Sequence, residues 1–225
     1  MATLRLAHRG DWREAPENSL AAMQAAILIP GCDGLEFDIR ASADGVPVLL
    51  HDATLARVQG IPSACVTLTA AELARHGIPA LGEVLQAVGC DPFLDVELKE
   101  RVQRAIDVLE LERGRIDDDG KPVLRSAVVS SFDPAILRWL AEQRPTWPRW
   151  LNAHDLSRQT IELAVELGCA AVAAEWHSVD AVGVAMATDA GIAVASWTVR
   201  DPVVYARFVE LGLIAVCGES DALGR

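Results

Sequence analysis

The chain has 225 residues, with 20 Lys and Arg against 32 Asp and Glu, for a formal net charge of −12. Hydrophobic residues make up 51% of it, which is ordinary for a packed globular chain and too high for a disordered one. The acidic balance argues against nucleic acid as a main partner, since a phosphate backbone selects a basic footprint. No run of about 18 apolar residues free of charge occurs, so no membrane insertion is expected. Residues 1–8 read as a strand rather than a removable leader. The five cysteines, Cys32, Cys65, Cys90, Cys169 and Cys217, are widely spaced and form no CxxC pair; they read as buried reduced thiols of a cytoplasmic protein.

In chain order, short apolar or β-branched runs at 4–8, 34–39, 93–98, 126–131, 148–152, 170–174, 192–197 and 213–217 read as strands. Helical patterns fall at 17–29, 69–75, 81–89, 99–113, 133–143, 157–167, 179–190 and 201–211. Asp133-Pro134 and Asp201-Pro202 have the form of an N-cap followed by a first-turn proline. Gly168, Gly191 and Gly212 stand where helices end and strands begin. Eight such alternations predict a single (β/α)8 TIM barrel, an α/β fold of parallel strands; periodicity alone leaves an open doubly wound sheet as the alternative. Nothing divides the chain, so residues 1–225 are read as one domain. The polar stretch 114–125, with Asp117, Asp118 and Asp119, reads as a solvated turn.

The strand near 34–39 departs from the alternation. Asp44-Gly45 stands between two extended runs, which signals a β-hairpin insertion after strand 2 in place of a helix. A turn centred on residues 44 and 45 places Asp38 opposite His51. The hairpin would then deliver His51 to the C-terminal rim, where barrels of this kind carry their active sites.

Candidate chemistry gathers at strand ends. Glu36 and Asp38 are two apart and share one face of a strand, as do Glu97 and Lys99. Inward carboxylates are costly unless a cation or a proton intervenes. Glu36, Asp38 and Glu97 together form an oxygen-rich set suited to a divalent cation, Mg²⁺ or Ca²⁺, rather than to Zn²⁺. Any one of them alone is more simply a surface residue or half of an ion pair; the set beside two histidines is not. His8 and His51 end strands and suit paired acid–base work, whereas His76, His154 and His177 read as structural. Arg9 and Lys99, one of only two lysines, supply positive charge for an anionic substrate such as a phosphate. Trp197, at the seventh strand's end, reads as core packing or as a surface for a ligand's carbon skeleton.

These residues fall in an ordered series: His8-Arg9-Gly10, Pro16-Glu17-Asn18-Ser19, Glu36-x-Asp38, Asp44-Gly45-x-Pro47-Val48, His51-Asp52, Glu97-Leu98-Lys99, Ser130-Ser131-Phe132 and Trp197-Thr198-Val199. The series, which spans nearly the whole chain, resembles the glycerophosphodiester phosphodiesterase family. The resemblance implies a TIM barrel that hydrolyses glycerophosphodiesters, such as glycerophosphocholine or glycerophosphoethanolamine, to an alcohol and sn-glycerol 3-phosphate. It implies a divalent cation on Glu36, Asp38 and Glu97, catalysis by His8 and His51, phosphate binding by Arg9 and Lys99, and Trp197 at the glycerol end. It gives Glu17 a part in steadying Arg9 or the metal's surroundings. Three departures stand out: Ser19 in place of Thr, Arg200 in place of Asn, and Cys217-Gly218-Glu219-Ser220 in place of Thr-Asp-x-Pro.

Two other readings fit the same residues. One is a phospholipase D-like enzyme acting on lysophospholipids, which an apolar lip or a basic membrane-facing helix would favour; no such helix is evident. The other is a non-catalytic barrel that binds phosphate esters.

Overall fold

The computed structural model describes residues 2–224. Its elements follow in chain order. The first are β1 (Leu4–His8), α1 (Leu20–Ile27), β2 (Gly34–Ala41), β3 (Pro47–Leu49), α2 (Ala56–Gln59), α3 (Ala70–Arg75) and α4 (Leu81–Val88). Next come β4 (Phe93–Leu98), α5 (Gln103–Arg113), β5 (Gly114–Ile116), β6 (Pro122–Leu124), β7 (Ala127–Ser131) and α6 (Pro134–Gln143). The chain continues through β8 (Arg149–Ala153), α7 (Arg158–Glu166), β9 (Ala171–Glu175), α8 (Ala181–Asp189), β10 (Ala193–Val199), α9 (Pro202–Glu210) and β11 (Ala215–Gly218).

Eight parallel strands close into a barrel in the order β1-β2-β4-β7-β8-β9-β10-β11, with β11 pairing back onto β1. This is the (β/α)8 architecture the alternation predicts. The expected caps are present: the Asp133 and Asp201 side chains each accept from a backbone N–H at 2.8 Å, ahead of a first-turn proline. Ser19 caps α1 by accepting from Ala22 N at 3.1 Å, so that helix begins at Leu20 and leaves Glu17 and Asn18 in the loop.

Period-two alternation sorts each strand into two faces. Leu35, Phe37 and Ile39 of β2, with Leu94, Val96 and Leu98 of β4, point outward into the apolar layer beneath the helices. Leu6, Val128, Trp150, Ala171, Ala173, Ala195 and Ala215 fill the barrel interior, where Phe93 stacks on Trp150 with ring centroids 5.8 Å apart. Alanines dominate the β9–β11 side of that interior and carboxyls the upper β2–β4 side, so space remains at the C-terminal end. At the opposite end β2 and β4 approach so closely that a Cβ on Gly34 would lie 2.1 Å from the Phe93 carbonyl oxygen.

The hairpin exists, but its register differs from the expected one. Ile39 pairs with Leu49 and Arg40 with Val48, which sets Leu50 rather than His51 opposite Asp38. The cause is a three-residue loop, 43–45, with Gly45 in the left-handed region at φ 71°, where a two-residue turn was expected. The hairpin does not replace the second helix either. Residues 42–80 add a lobe with its own small core of Val48, Leu50, Leu55, Cys65, Leu73 and Ile78, and α4 then supplies that unit's helix.

Two further expectations are refined. The stretch 114–125 carries the expected solvated turn as the tip of a second hairpin, β5 with β6, held by Asp117 accepting from Asp119 N and Lys121 N. All five cysteines are free, yet Cys90 is exposed and Cys32 half-buried; Cys65, Cys169 and Cys217 are buried as expected. No helix among the described residues is long and apolar enough to cross a membrane.

Gly34→Ala tests the barrel's tightest approach. The added Cβ meets backbone that cannot swing aside, so urea unfolding should show a loss of about 3 kcal/mol; a change within about 0.5 kcal/mol would mean that the strands part freely.

Candidate active site

The C-terminal rim opens into a cavity of about 330 Å³, lined by His8, Arg9, Glu36, His51, Glu97, Lys99 and Trp197 among others. Asp38, fully buried, lies directly against Arg9 and Lys99. The fold therefore brings together every site residue named from the sequence.

Each side chain is aimed by a local device. Arg9 and Gly10 follow β1 with φ of 57° and 82°. This left-handed turn lets Arg9 N donate to the Glu36 carbonyl at 2.8 Å and sends its guanidinium back over the strand ends. A side chain at Gly10 would collide with α1, since its Cβ would sit 2.7 Å from Ala22 C. Glu36 and Asp38 reach inward from β2 by alternation. Asn18 holds Asp38 from the α1 side, donating from Nδ2 to Oδ2 at 2.7 Å. His51 lies just beyond β3, where the ladder no longer dictates facing. Arg40 Nε donates to its carbonyl at 2.9 Å, and the ring enters the cavity despite the altered register.

The carboxyls lie in paired rungs. Glu36 stands beside Asp95 across β2 and β4, and Asp38 beside Glu97. Burial, reinforced by Asp38 and Asp95, pushes the Glu36 carboxyl well above its usual range. Burial likewise raises Asp95 to about 7, with Glu97 adding to the effect and a hydrogen bond from Ser130 opposing it. Glu97 is raised to about 7 by burial and by Asp38. Asp38 goes the other way: burial works to raise it, but Lys99 and Arg9, at 2.8 Å and 3.2 Å, hold it down at about 2. Lys99 also pairs with Glu97.

Four carboxyls thus face two cations in a low-dielectric space. The carboxylate oxygens of Glu36, Asp38 and Glu97 lie within 4.8 Å of one another. Asp38 Oδ1 is buried without an aligned hydrogen bond, although the Lys99 ammonium is close. All-oxygen donors converging within 4.8 Å, with Glu36 and Glu97 raised in pKa by burial and by Asp38, fit a hard divalent cation.

Both histidines carry a carboxylate on Nδ1. His8 Nδ1 is 2.5 Å from Glu219 Oε1, and His51 Nδ1 is 2.6 Å from Asp52 Oδ1. Burial lowers the His51 pKa, partly offset by Asp38 and Asp52. Arg57, from the inserted lobe, donates to Asp52 at 2.6 Å and to Glu17 at 2.6 and 2.9 Å. Glu17 in turn accepts from Arg9 at 2.9 Å.

Asp95, Phe132, His154 and Glu219 have no role at the site in the sequence reading. Asp95 carries a legible signal, since it precedes Glu97 by two and shares its face. Phe132 and His154 form one aromatic wall with Trp197, at centroid distances of 5.2–5.6 Å. His154 therefore lines the cavity rather than serving elsewhere as structure. Glu219 marked only a departure in the sequence. Trp197 donates from its indole to the Ala173 carbonyl at 2.8 Å, which fixes the ring at the cavity wall.

Known proteins of one family resemble this chain in sequence and fold. The model of the Glycerophosphoryl diester phosphodiesterase family matches residues 8–220. A glycerophosphodiester phosphodiesterase of Caldanaerobacter subterraneus subsp. tengcongensis is 34% identical over 116 residues, 45% of this chain and 47% of that one. Glycerophosphodiester phosphodiesterase 1 of Bos taurus is 29% identical over 148 residues, 59% of this chain and 43% of that one. The chain thus spans about half the length of the curated relatives it matches. Among solved structures, an Oleispira antarctica phosphodiesterase in complex with the product sn-glycerol-3-phosphate superposes with a TM-score of 0.82 at 25% identity, over 96% of this chain and 93% of that one. A glycerophosphodiester phosphodiesterase of Thermotoga maritima superposes with a TM-score of 0.75 at 25% identity, over 97% and 95%.

If the carboxylate cluster holds a divalent cation, adding Mg²⁺ or Ca²⁺ to metal-stripped protein should raise its Tm. At a hundredfold excess over Kd the gain is about 2.7 kcal/mol. Glu36→Gln combined with Asp38→Asn should abolish the cation-dependent rise in differential scanning calorimetry. An undiminished rise in the double variant would place the cation elsewhere.

Proposed function

The chain belongs to the glycerophosphoryl diester phosphodiesterase family, and from that premise we propose that it hydrolyses soluble glycerophosphodiesters, releasing an alcohol and sn-glycerol 3-phosphate. The observation that carries this reading is the convergence on one cavity of two carboxylate-held histidines, two cations and a buried carboxylate triad.

Glu36, Asp38 and Glu97 would hold a divalent cation, Mg²⁺ or Ca²⁺. When bound, it supplies Lewis-acid polarisation of a phosphoryl oxygen and neutralises charge developing there. Arg9 and Lys99 bind the remaining phosphate oxygens by charge-assisted hydrogen bonds. Trp197 and Phe132 pack against the carbon skeleton, as aromatic faces do against the C–H surface of a small polyol.

His8 and His51 divide the proton work. One accepts the proton of the attacking hydroxyl, and the other donates a proton to the departing alkoxide oxygen as the phosphorus–oxygen bond breaks. The attacking hydroxyl belongs either to water or to the neighbouring glycerol carbon. In the second route the same pair, with roles exchanged, admits water to open the cyclic phosphate. The Nδ1 carboxylates support this assignment, because each leaves Nε2 as the exchanging nitrogen. The reading of residues 1–225 as one domain is supported by β11 pairing with β1, which ties the two ends of the chain.

Glycerophosphocholine, glycerophosphoethanolamine and a lysophospholipid, each incubated with a panel of divalent cations, test the reading. Glycerol phosphate should be released from the first two and suppressed by excess EDTA. His8→Ala and His51→Ala should each lower kcat by about 10²–10⁴-fold with the fold intact by circular dichroism. Release of phosphorylated head group would reverse the cleavage side. Preference for the lysophospholipid would favour the phospholipase D-like alternative. Binding without turnover would favour the non-catalytic one.

A further inference from the structure

Two of the places where this sequence departs from the family it resembles, Arg200 and residues 217–220, meet at one point in space. The Glu219 side chain is only 4% exposed, and both of its oxygens are engaged. Oε1 lies 2.5 Å from His8 Nδ1, and Oε2 accepts from Arg200 Nε at 2.7 Å. The segment carrying Glu219 is pinned by its own backbone, whose N–H donates to the Val199 carbonyl at 2.9 Å. His8 precedes Glu219 by 211 residues; barrel closure, with Ala7 paired to Gly218, brings them together.

We propose that Glu219 is a positioning residue for His8: it holds the ring with its proton on Nδ1, so that Nε2 exchanges protons with the reacting groups, while Arg200 holds Glu219 in place. A neutral imidazole offers one donor and one acceptor, and an ionised carboxylate accepts only. The ring nitrogen facing Glu219 therefore carries the hydrogen. Nε2 faces the cavity, with the nearest Glu36 oxygen 3.8 Å away and beyond hydrogen-bond reach, so it is left for exchange with the reacting groups. Burial works to raise the Glu219 carboxyl, but the contacts with His8 and Arg200 hold it below its usual range and keep it ionised. Arg200 is 69% exposed along its side chain, so its removal should leave the fold intact. His51 has the corresponding partner in the adjacent Asp52, itself bound by Arg57. Both proposed acid–base residues thus sit at the inner end of a histidine–carboxylate–arginine chain.

The catalytic consequence rests on the phosphodiesterase reading; the tautomer does not, and the test separates them. A Gln at position 219 has one acceptor oxygen where the wild type has two. Arg200, which only donates, takes that oxygen. The amide NH₂ then faces His8 Nδ1, and the ring proton must move to Nε2. Ring ¹⁵N NMR of the full chain without substrate, with His8 assigned through His8→Ala, reads the tautomer in the wild type, Glu219→Gln, Glu219→Asp and Arg200→Ala. Steady-state kinetics is run on the same samples. The wild type should show Nδ1–H in the neutral ring. Glu219→Gln should show Nε2–H and a kcat lower by about 10- to 100-fold, with KM changed less than about threefold. Glu219→Asp should keep Nδ1–H and recover part of the rate. Arg200→Ala should show a mixed tautomer and a smaller fall in kcat. An Nδ1–H ring in Glu219→Gln overturns the proposal, as does a loss of rate that follows only the folded fraction. A wild type that turns over no phosphodiester defeats the phosphodiesterase reading alone, and the NMR result still decides whether Glu219 sets the His8 tautomer.

Discussion

Buried negative charge on two neighbouring strands is the constraint on which the site depends. In-register pairing of β2 with β4 places Glu36 beside Asp95 and Asp38 beside Glu97, all four facing the barrel interior. In a medium where burial alone raises a carboxyl's pKa, such a set persists only with compensating charge. Arg9 and Lys99 supply part of it and bring Asp38 into a firmly ionised state; Glu36, Asp95 and Glu97 remain raised. The surplus makes the barrel's upper end receptive to a cation, and the two basic groups that limit the surplus can also receive an anion. A chain with a net charge of −12 thereby offers a locally mixed field suited to a metal-assisted phosphate reaction.

The barrel makes room for that chemistry by an unequal division of side chains. Alanines on β9, β10 and β11 take little of the interior, while Trp150, Phe93 and Leu6 fill its lower part. The cavity follows from this difference in volume. Its aromatic wall of Phe132, His154 and Trp197 comes from the ends of β7, β8 and β10 and the carboxyls come from β2 and β4, with the Lys99 ammonium, 5.7 Å from the Phe132 ring centroid, where the two linings meet. Such a division suits a ligand with a phosphate at one end and a short carbon chain at the other.

The lobe at 42–80 does more than deliver His51. Through Arg57 it joins Asp52 to Glu17, and Glu17 joins Arg9, so an ion-pair chain runs from one histidine to the arginine over the carboxylate cluster. The pairs at the exposed Arg57 end add little to stability, and their value here is geometric. The lobe's own apolar core gives that geometry a firm base.

Much of this was legible in the residues alone. The eight strands, their helices, the proline-backed N-caps and the inward facing of Glu36 with Asp38 and of Glu97 with Lys99 follow from periods of 2 and 3.6, which are properties of a local stretch of backbone. The hairpin was legible too, but its register was not: a three-residue and a two-residue turn share the Asp44-Gly45 signature, and the packing of Val48 and Leu50 under the lobe accompanies the observed choice. What the sequence could not supply is any pairing created by closure. Glu219 meets His8 because β11 closes onto β1, Asp95 meets Glu36 because β4 pairs with β2, and Arg57 of α2 meets Glu17 because the inserted lobe packs over the loop ahead of α1. Local periodicity determines which way a side chain points from its own strand. Barrel closure determines what it points at, because that depends on register and shear summed around all eight strands.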